Sequence, residues 1–319
     1  MPGGPHEGRP AAARLTPPDL RLSAADFRAL YQRVRALAPW AADDRRGALN
    51  YLTPQRIAAA ASSVRDGRTV SLAAPVEGEA AADNPEPWVD DLTHPAAGPG
   101  SRHGLDFAMD TLFLHVHGNA DSHLDALCHV SYDGVLYNGV APDPGNLSVD
   151  LAGQGIAGRG VLLDIPRLRG VEWLEPGDHV TVEDVTRAEE AQHISVGPGD
   201  LLFIRVGHRR RRNQLGPWDA AASRAGLHPS VLELLGERQI AILGSDSNND
   251  TAPSAAEGVD FPVHVLALPA LGLMLLDYLQ FEDLVSVCES AGRWSFLCVI
   301  APLRLPDGTG SPVNPIAIF

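Results

Sequence analysis

Apolar positions in the first part of the chain predict two helices followed by a strand. Behind Ser23, which suits an N-cap, apolar residues recur every three or four positions, as on one face of a helix. These residues are Phe27, Leu30, Tyr31, Val34 and Leu37. A second helix is predicted between Thr53, which precedes a proline, and Gly67. The segment TVSLAAPV at 69–76 then predicts a strand.

The middle of the chain alternates short apolar segments with helical patterns. Strands are predicted at GVLLDI (160–165), DLLFIRVG (200–207), IAILGSD (240–246) and RWSFLCVIAPL (293–303). Helices are predicted at VEDVTRAEEAQ, behind Thr181, and at HPSVLELLGERQ (228–239). Such alternation favours an α/β fold in which helices cover the strands of a sheet.

Two regions lack this periodicity. Residues 1–20 are rich in Pro, Gly and Ala and hold almost no large apolar side chains, so we expect a flexible arm. Pro75–Gly104 forms a long Pro/Gly/Asp stretch, which is typical of a lid or a binding loop. No change in composition marks a boundary after residue 105, so we expect a single domain over 21–319.

Composition disfavours some kinds of binding partner and bears on the expected location of the protein. The chain has 319 residues and a formal net charge of -15, which disfavours binding to nucleic acid or to an anionic membrane surface. The basic run HRRRR at 208–212 is expected to be a solvated surface loop. Three cysteines without CxxC spacing favour a reducing cytoplasm, and neither a leader nor an apolar run of about 20 residues is seen.

Signatures of two common enzyme classes are missing or misplaced. GQGIAG at 153–158 fits the dinucleotide pattern G-x-G-x-x-G, but a predicted strand follows it where a helix is required. The sequence contains neither a G-x-S-x-G elbow nor a GK[ST] phosphate loop. The sequence therefore gives no support to nucleotide binding or to serine hydrolase chemistry.

The segment from His115 to His129 concentrates imidazoles and carboxylates. Alternation in DTLFLHVHG predicts a strand with His115 and His117 on one face, and Gly118 allows the chain to bend after them. His123 and Asp125 would project together from an extended segment, whereas Asp125 and His129 would meet on a helical turn. Imidazole and carboxylate without a thiolate pair suit a catalytic Zn²⁺ or Mn²⁺ site.

A polar loop is the alternative to a metal site in this segment. Its histidines would then be satisfied by backbone groups, a reading that fits His115 taken alone. His123, Asp125 and His129 are instead threaded through apolar residues, which favours their burial against a partner such as a metal.

NADSHLDALCH at 119–129 resembles the pattern H-x-G-T-H-x-D-x-P-x-H of the putative cyclase family, which includes bacterial kynurenine formamidase and isatin hydrolase. The resemblance covers about residues 25–319. It continues in order through 39–76, YDGVLYNG, GRGVLLDI, GDLLFIRVG, GSDSNND, FPVHVLALPALGLMLLDYLQFEDL and GSPVNPIAIF. It implies a single α/β domain with a mixed sheet or barrel-like core flanked by helices, of the swivelling β/β/α type.

The resemblance also implies a set of site residues. His123 and Asp125 match metal ligands, and His129 matches the general acid/base of formamidase-like members. His264 matches a ligand of a second metal, and Asp277 stands where members usually have a metal-binding Glu. The expected cofactor is therefore a divalent metal, Zn²⁺ or Mn²⁺, as one or two ions.

Two departures from the pattern matter. Asn119 replaces the first metal-binding His, and Asp121-Ser122 replaces Gly-Thr. Because Asn is a poor ligand for Zn²⁺, three arrangements stay open. Asn119 supplies a weak amide oxygen, or His117 replaces it, or the site has fewer ligands and holds one metal.

The leading hypothesis is metal-dependent hydrolysis of a C–N bond in a small amide, formamide, cyclic imide or lactam. A lactone or ester hydrolase, a non-hydrolytic cyclase and an inactive ligand-binding homologue are the alternatives. Trp40 and Trp88 are candidates to hold an aromatic or apolar substrate, although Trp40 could equally serve packing. Asp246, in GSDSNND (244–250), either joins the site or caps the next turn. The resemblance implies a homodimer or larger homo-oligomer.

Overall fold

A computed structural model of the protein describes residues 20–93, 108–143 and 145–319, with the main chain alone over 90–93. Apart from Leu20, the predicted arm at 1–20 lies outside the described residues, and so do residues 94–104 of the predicted loop. The division into an arm and a single domain over 21–319 stays a prediction. In the described part of the chain, no helix combines the length and apolar character needed to cross a bilayer.

Strands and helices alternate through most of the described chain. The strands are β1 (Thr69–Ser71), β2 (Val89–Thr93), β3 (Met109–Phe113), β4 (His123–Asp125), β5 (Ile156–Asp164), β6 (His179–Val180), β7 (Leu201–Arg205), β8 (Gly226–Leu227), β9 (Ile242–Ser245), β10 (Met274–Asp277), β11 (Ser295–Ile300), β12 (Gly310–Pro312) and β13 (Ile316–Ile318). The α-helices are α1 (Ala24–Arg35), α2 (Pro54–Ala61), α3 (Ile165–Arg169), α4 (Val182–Gln192), α5 (His208–Leu215), α6 (Val231–Glu237), α7 (Pro262–Val265) and α8 (Glu282–Ala291). Short 3-10 helices span Gly47–Tyr51, Tyr137–Gly139 and Val149–Ala152, and a π-helix at Leu266–Leu271 continues α7.

Nine of these strands form one sheet in the order β1-β13-β11-β5-β7-β9-β10-β4-β12, curled into a half-barrel. Its centre, β5-β7-β9-β10, is parallel, and the outer strands pair antiparallel. Every residue of β7, β9 and β10 is buried, as expected for parallel strands that are covered on both faces. The mixed α/β class predicted from the sequence is confirmed.

Local signals placed several of these elements correctly. The Ser23 side chain caps α1 because it accepts a hydrogen bond from the backbone amide of Asp26. The Thr53 side chain caps α2 in the same way. The apolar face of α1 is buried as its spacing predicted. Thr181 begins α4 with a capping box, in which its side chain and that of Asp184 bind each other's backbone amides.

Several expectations about local structure are wrong. The strand predicted at 69–76 is only Thr69–Ser71, and the strand predicted through DTLFLHVHG ends at Phe113, before either histidine. Residues 208–212 belong to helix α5 and are not a solvated loop, since His208 and Arg209 are buried. Inside the protein, Nη2 of the Arg209 guanidinium donates to the backbone carbonyls of Ala120 and Tyr278.

Arg212, at the end of the basic run, is also held by ion pairs inside the protein. Its guanidinium binds the carboxylate of Glu77 at 2.6 and 2.8 Å and also pairs with buried Asp83. The start of the predicted 75–104 loop is thus fastened to α5 by ion pairs. The basic run is therefore a structural anchor for the segment that precedes β2.

Candidate metal centre

Strand β4 lies between β10 and β12 and places two candidate ligands on one side of the sheet. Side chains at i and i+2 of a strand share a face, so His123 and Asp125 project together, and both are buried. Of the two local structures left open by the sequence, the extended one is therefore correct. On β10, Asp277 lies directly opposite His123 in the antiparallel register.

Two groups of three possible ligands share one carboxylate, that of Asp125. In the first group, Asp125 Oδ1 lies 2.9 Å from His117 Nδ1 and 3.6 Å from His123 Nε2. In the second, His264 Nε2 lies 3.2 Å from Asp125 Oδ2 and 3.5 Å from Asp277 Oδ2. Within each group, the donor atoms all lie within 4.8 Å of one another.

These spacings fit a metal ion. Ligands at about 2.0–2.1 Å from a tetrahedral Zn²⁺ lie about 3.3 Å from each other, and the observed separations fall on both sides of that value. Asp125 Oδ2 is buried and makes no hydrogen bond of good geometry. A buried carboxylate oxygen without a donor needs a partner, and a cation between Asp125, His264 and Asp277 would provide one.

In His117, His123 and His264, the ring nitrogen that faces away from Asp125 also has a partner. A ligating His normally engages its second nitrogen with a carboxylate, carbonyl or hydroxyl, which fixes the ring and its tautomer. The three contacts are His123 Nδ1 to the Asp121 carbonyl at 2.8 Å, His264 Nδ1 to Asp250 Oδ2 at 2.6 Å and His117 Nε2 to Thr309 Oγ1 at 3.0 Å. All three rings therefore turn their remaining nitrogen toward Asp125.

The loop after β9 supplies supports that the sequence reasoning missed. Asn248 and Asn249 donate to the two oxygens of Asp277 at 2.6 and 2.5 Å. Asp250 accepts the backbone amides of Val263 and His264 as well as the His264 ring. The signal was present in GSDSNND after a strand, but only Asp246 was singled out there. The partners Asp277 and His264 are distant in sequence, so spacing could not reveal these contacts.

His117 reaches the cluster because position 310 carries no side chain. A Cβ at Gly310 would lie 2.6 Å from His117 Cε1 and 2.6 Å from the carbonyl of Leu124. Gly310 pairs with Asp125 across the β4–β12 ladder, so the missing side chain leaves room beside the shared carboxylate. The strand β12, far along the chain, thus makes space for a histidine that precedes β4.

His129 lies against the cluster without joining either group. Its ring stacks on that of His117 with centroids 3.7 Å apart and planes 9° from parallel. Burial lowers the pKa of His129 to about 4, although the Asp125 carboxylate works in the opposite direction. At neutral pH the ring is therefore uncharged and has a free nitrogen to accept a proton.

Electrostatics in the cluster favour a charged Asp125. Burial would raise the pKa of Asp125, but the His117 and His264 imidazoles beside its carboxylate outweigh burial and hold that pKa well below its ordinary value. Among the described residues, no arginine forms a salt bridge with the carboxylates of Asp125, Asp250 or Asp277. The counter-charge at this end of the sheet therefore has to come from histidine or from a bound cation.

The remaining predicted site residues are not brought into either group. Asn119 is half-buried, and its Oδ1 accepts the hydroxyl of Tyr278 at 2.8 Å. Trp40 is half-buried against the core and packs on Tyr51 at 4.8 Å. Asp246 is fully buried and accepts the backbone amides of Val206 and Gly207 at 2.7 and 2.9 Å.

Trp88 and His115 belong to neither group of ligands, and a neighbour of Trp88 contacts His115. Trp88 is half-buried, and its indole nitrogen is buried with no acceptor among the described residues. His115 Nδ1 lies 3.4 Å from Glu86 Oε2, and its exposed ring contacts Phe113. The loop that carries Trp88 and Glu86 therefore contacts the segment that leads into the cluster.

Comparisons with known proteins relate this architecture to a protein family. The model of a family described as "Putative cyclase" matches residues 70–249, more than half of the chain. A solved structure described as a novel cyclase is 29% identical, with a TM-score of 0.80, and the match covers 91% of this chain and 99% of the other. No curated protein matches the chain.

Two isatin hydrolase structures are also similar. Isatin hydrolase A from Ralstonia solanacearum is 21% identical with a TM-score of 0.55, over 83% of this chain and 98% of its own. An isatin hydrolase bound to the product analogue thioisatinate is 19% identical with a TM-score of 0.54, over 79% and 92%. At these identities the similarity shows a shared fold. Together with the family match, it leads to one conclusion: the chain belongs to the putative cyclase family.

Proposed function

We propose that the protein is a metal-dependent hydrolase that cleaves a C–N bond in a small amide, formamide, cyclic imide or lactam. The observation that carries the proposal is the buried carboxylate of Asp125, whose two oxygens each belong to a separate group of three ligand atoms. Two neighbouring groups of ligands would suit a hydrolase that uses two metal ions.

The ligand assignment follows from the donor atoms. His117, His123 and Asp125 would hold one ion, and Asp125, His264 and Asp277 would hold a second, with zinc or manganese as the metal. Asn119 is left out because its amide oxygen, the one atom with which Asn ligates a metal, accepts the Tyr278 hydroxyl. His117 therefore takes the role of the motif's first histidine.

A divalent ion bound here supplies a water of lowered pKa and a Lewis acid for the substrate carbonyl. His129 is the group that moves protons. Burial keeps its imidazole neutral, so it can accept a proton from the attacking water, and its protonated form is then acidic enough to give that proton to the departing nitrogen. Stacking on His117 holds the His129 ring beside the first group of ligands.

The substrate class rests on similarity and on one buried donor, the indole N–H of Trp88. Isatin, the substrate named for the two hydrolases of the same fold, is a cyclic amide. Trp88 has a buried indole N–H without an acceptor, which makes it a candidate to bind a polar group of an aromatic substrate. We propose isatin and N-formylaniline as the first probes.

Metal content and hydrolysis, measured on the same preparations, test this function. The purified protein should carry more than one equivalent of zinc or manganese and should release amine or open the lactam ring of a probe. His123→Ala should lose both properties because His123 is buried beside Asp125. His115→Ala is the matched control, since His115 is exposed and pairs with Glu86.

Each other outcome rejects a specific part of the proposal. Turnover of lactones or esters without turnover of amides would place the enzyme among ester hydrolases with the same metal site. A protein that binds less than about half an equivalent of any divalent metal, and that His123→Ala leaves unchanged, would be a ligand-binding homologue.

A further inference from the structure

Asn119 occupies the position of the family's first metal-binding histidine, but it is built into a different arrangement. Its Oδ1 accepts a hydrogen bond of 2.8 Å from the hydroxyl of Tyr278. Tyr278 is fully buried, so its O–H must find an acceptor inside the protein. Asn119 Oδ1 is the acceptor observed, and a flipped amide would leave the buried hydroxyl without one.

Tyr278 is held in an unusual backbone conformation to make this contact. Its φ of 54° lies in the left-handed region, which a bulky residue adopts only when its surroundings impose it. Ser122 Oγ and the guanidinium of Arg209 donate to the Tyr278 carbonyl at 2.7 and 3.1 Å, and the Tyr278 amide donates to the Ser247 carbonyl at 2.9 Å. Three neighbouring segments therefore hold the backbone of Tyr278 in place.

With Oδ1 committed, the amide nitrogen of Asn119 is left as a free donor. Within the described ranges, Nδ2 makes no hydrogen bond, and the half-buried side chain leaves it accessible. Asn119 lies between His117 and His123 in the chain, and the Tyr278 ring that orients it is 6.3 Å from the His123 ring. A fixed N–H donor is thus carried by the segment that holds the proposed metal ligands His117 and His123.

We propose that the Asn119 amide, oriented by Tyr278, donates a hydrogen bond to the carbonyl oxygen of the substrate and to the oxyanion that develops from it. Asn119 is then a catalytic residue that binds substrate, and Tyr278 is a positioning residue. A preorganised amide donor at a developing oxyanion is a recognised source of transition-state stabilisation. This inference rests on the proposed hydrolase function and extends it.

The test uses the full-length protein loaded with zinc and two readouts besides turnover: zinc content and the affinity for acetohydroxamate, a carbonyl ligand for metal centres. Asn119→Ala should keep the zinc content of the wild type but bind acetohydroxamate about 10-fold or more weakly, as expected for one lost hydrogen bond to a charged group. Tyr278→Phe should weaken binding in the same direction and by less. Asn146→Ala is the control, because the half-buried Asn146 belongs to neither group of ligands and its amide donates to the Ala141 carbonyl.

Turnover of isatin distinguishes a catalytic defect from a loss of folding. With zinc content unchanged, Asn119→Ala should lower kcat on the order of 100-fold or more and leave KM close to that of the wild type. His117→Ala should instead lose zinc. If the wild type does not turn over isatin, the comparison of acetohydroxamate affinities still decides whether the Asn119 amide donates to a bound carbonyl ligand.

The inference is overturned if Asn119→Ala loses zinc, since Asn119 would then be a ligand. It is overturned as well if Asn119→Ala binds acetohydroxamate within about twofold of the wild type. Neither result affects the proposed function as long as the wild type holds its metal. A wild type that binds no zinc or manganese would overturn the proposed function and this inference together.

Discussion

Two clusters of acidic side chains, buried apart from Glu282, lie at the ends of neighbouring strands, and they are neutralised in different ways. In the first, Asp164, Asp246 and Glu282 surround Arg205, whose guanidinium binds Asp164 at 2.9 Å and Glu282 at 2.9–3.2 Å. In the second, the carboxylates of Asp125, Asp250 and Asp277 surround His264. Arginine is always charged, whereas histidine can give up its proton to make room for a metal.

This difference separates a structural ion cluster from a candidate metal centre. Burial opposes protonation of His264, but its three aspartates outweigh burial and raise the pKa of His264 well above its ordinary value. A proton on His264 and a cation between Asp125 and Asp277 are thus alternative counter-charges. We expect changes in the Arg205 cluster to alter folding and changes around Asp125 to alter metal binding.

The largest effect is expected for Asp125→Asn. The substitution keeps the size of the side chain but removes the negative charge shared by both groups, and it turns one oxygen into a donor that cannot bind a metal. Metal content should fall below about half an equivalent and hydrolysis should be lost, while the far-UV circular dichroism should stay that of the wild type. If Asp125→Asn retained two equivalents of metal, the proposed difference between the two clusters would be wrong.

Arg205→Met should give the opposite result. Removal of one partner from a buried ion pair costs about 3–5 kcal/mol, because the acids that remain are uncompensated. Urea unfolding should show this loss of stability, while the metal content of the folded fraction should match that of the wild type. A stable variant without metal would contradict the structural role assigned to Arg205.

Asp250→Asn and Asp246→Asn form a matched pair. Both carboxylates are fully buried in one loop and accept two backbone amides, but only Asp250 also binds a histidine of the candidate site. Loss of such an outer partner should weaken metal binding about 10- to 100-fold for Asp250→Asn. Competition with a chelator should show no change in affinity for Asp246→Asn, and equal losses would reject the distinction.

The smallest effect concerns pH. Burial raises the pKa of Asp246 to about 6 in the folded protein, above its ordinary value of 3.8. Its contribution to stability is therefore complete below about pH 4 and is lost as the pH rises through about 6. Relative to Asp246→Asn, the wild type should lose roughly 2 kcal/mol of unfolding free energy between pH 4.5 and 7.5. Urea unfolding at both pH values would show a constant difference if Asp246 were charged throughout.

Local patterns were enough for the parts of the structure that neighbouring residues decide. Ser23 and Thr53 began their helices as predicted, and the i, i+2 spacing of His123 and Asp125 allowed them to share a face of a strand. The α/β class followed from alternating strands and helices, since those patterns depend on burial of local segments. The resemblance then pointed to His264 and Asp277, which spacing alone could not have connected to Asp125.

The supports of the site were beyond local reasoning because they come from distant segments. Gly310 leaves the space that His117 fills, and Thr309 binds the outer nitrogen of that ring. The basic run 208–212 looked like a solvated surface because its partners, which include Glu77, Asp83 and the Tyr278 carbonyl, are far away in sequence. Long-range pairing of this kind is fixed by the tertiary fold.

Anomalous diffraction from crystals grown with zinc or manganese tests the central claim most directly. The account predicts two peaks, one between His117, His123 and Asp125 and the other between Asp125, His264 and Asp277, with Asn119 bound to Tyr278 and to neither ion. The absence of any peak beside Asp125, or a peak that Asn119 ligates in place of His117, would contradict it.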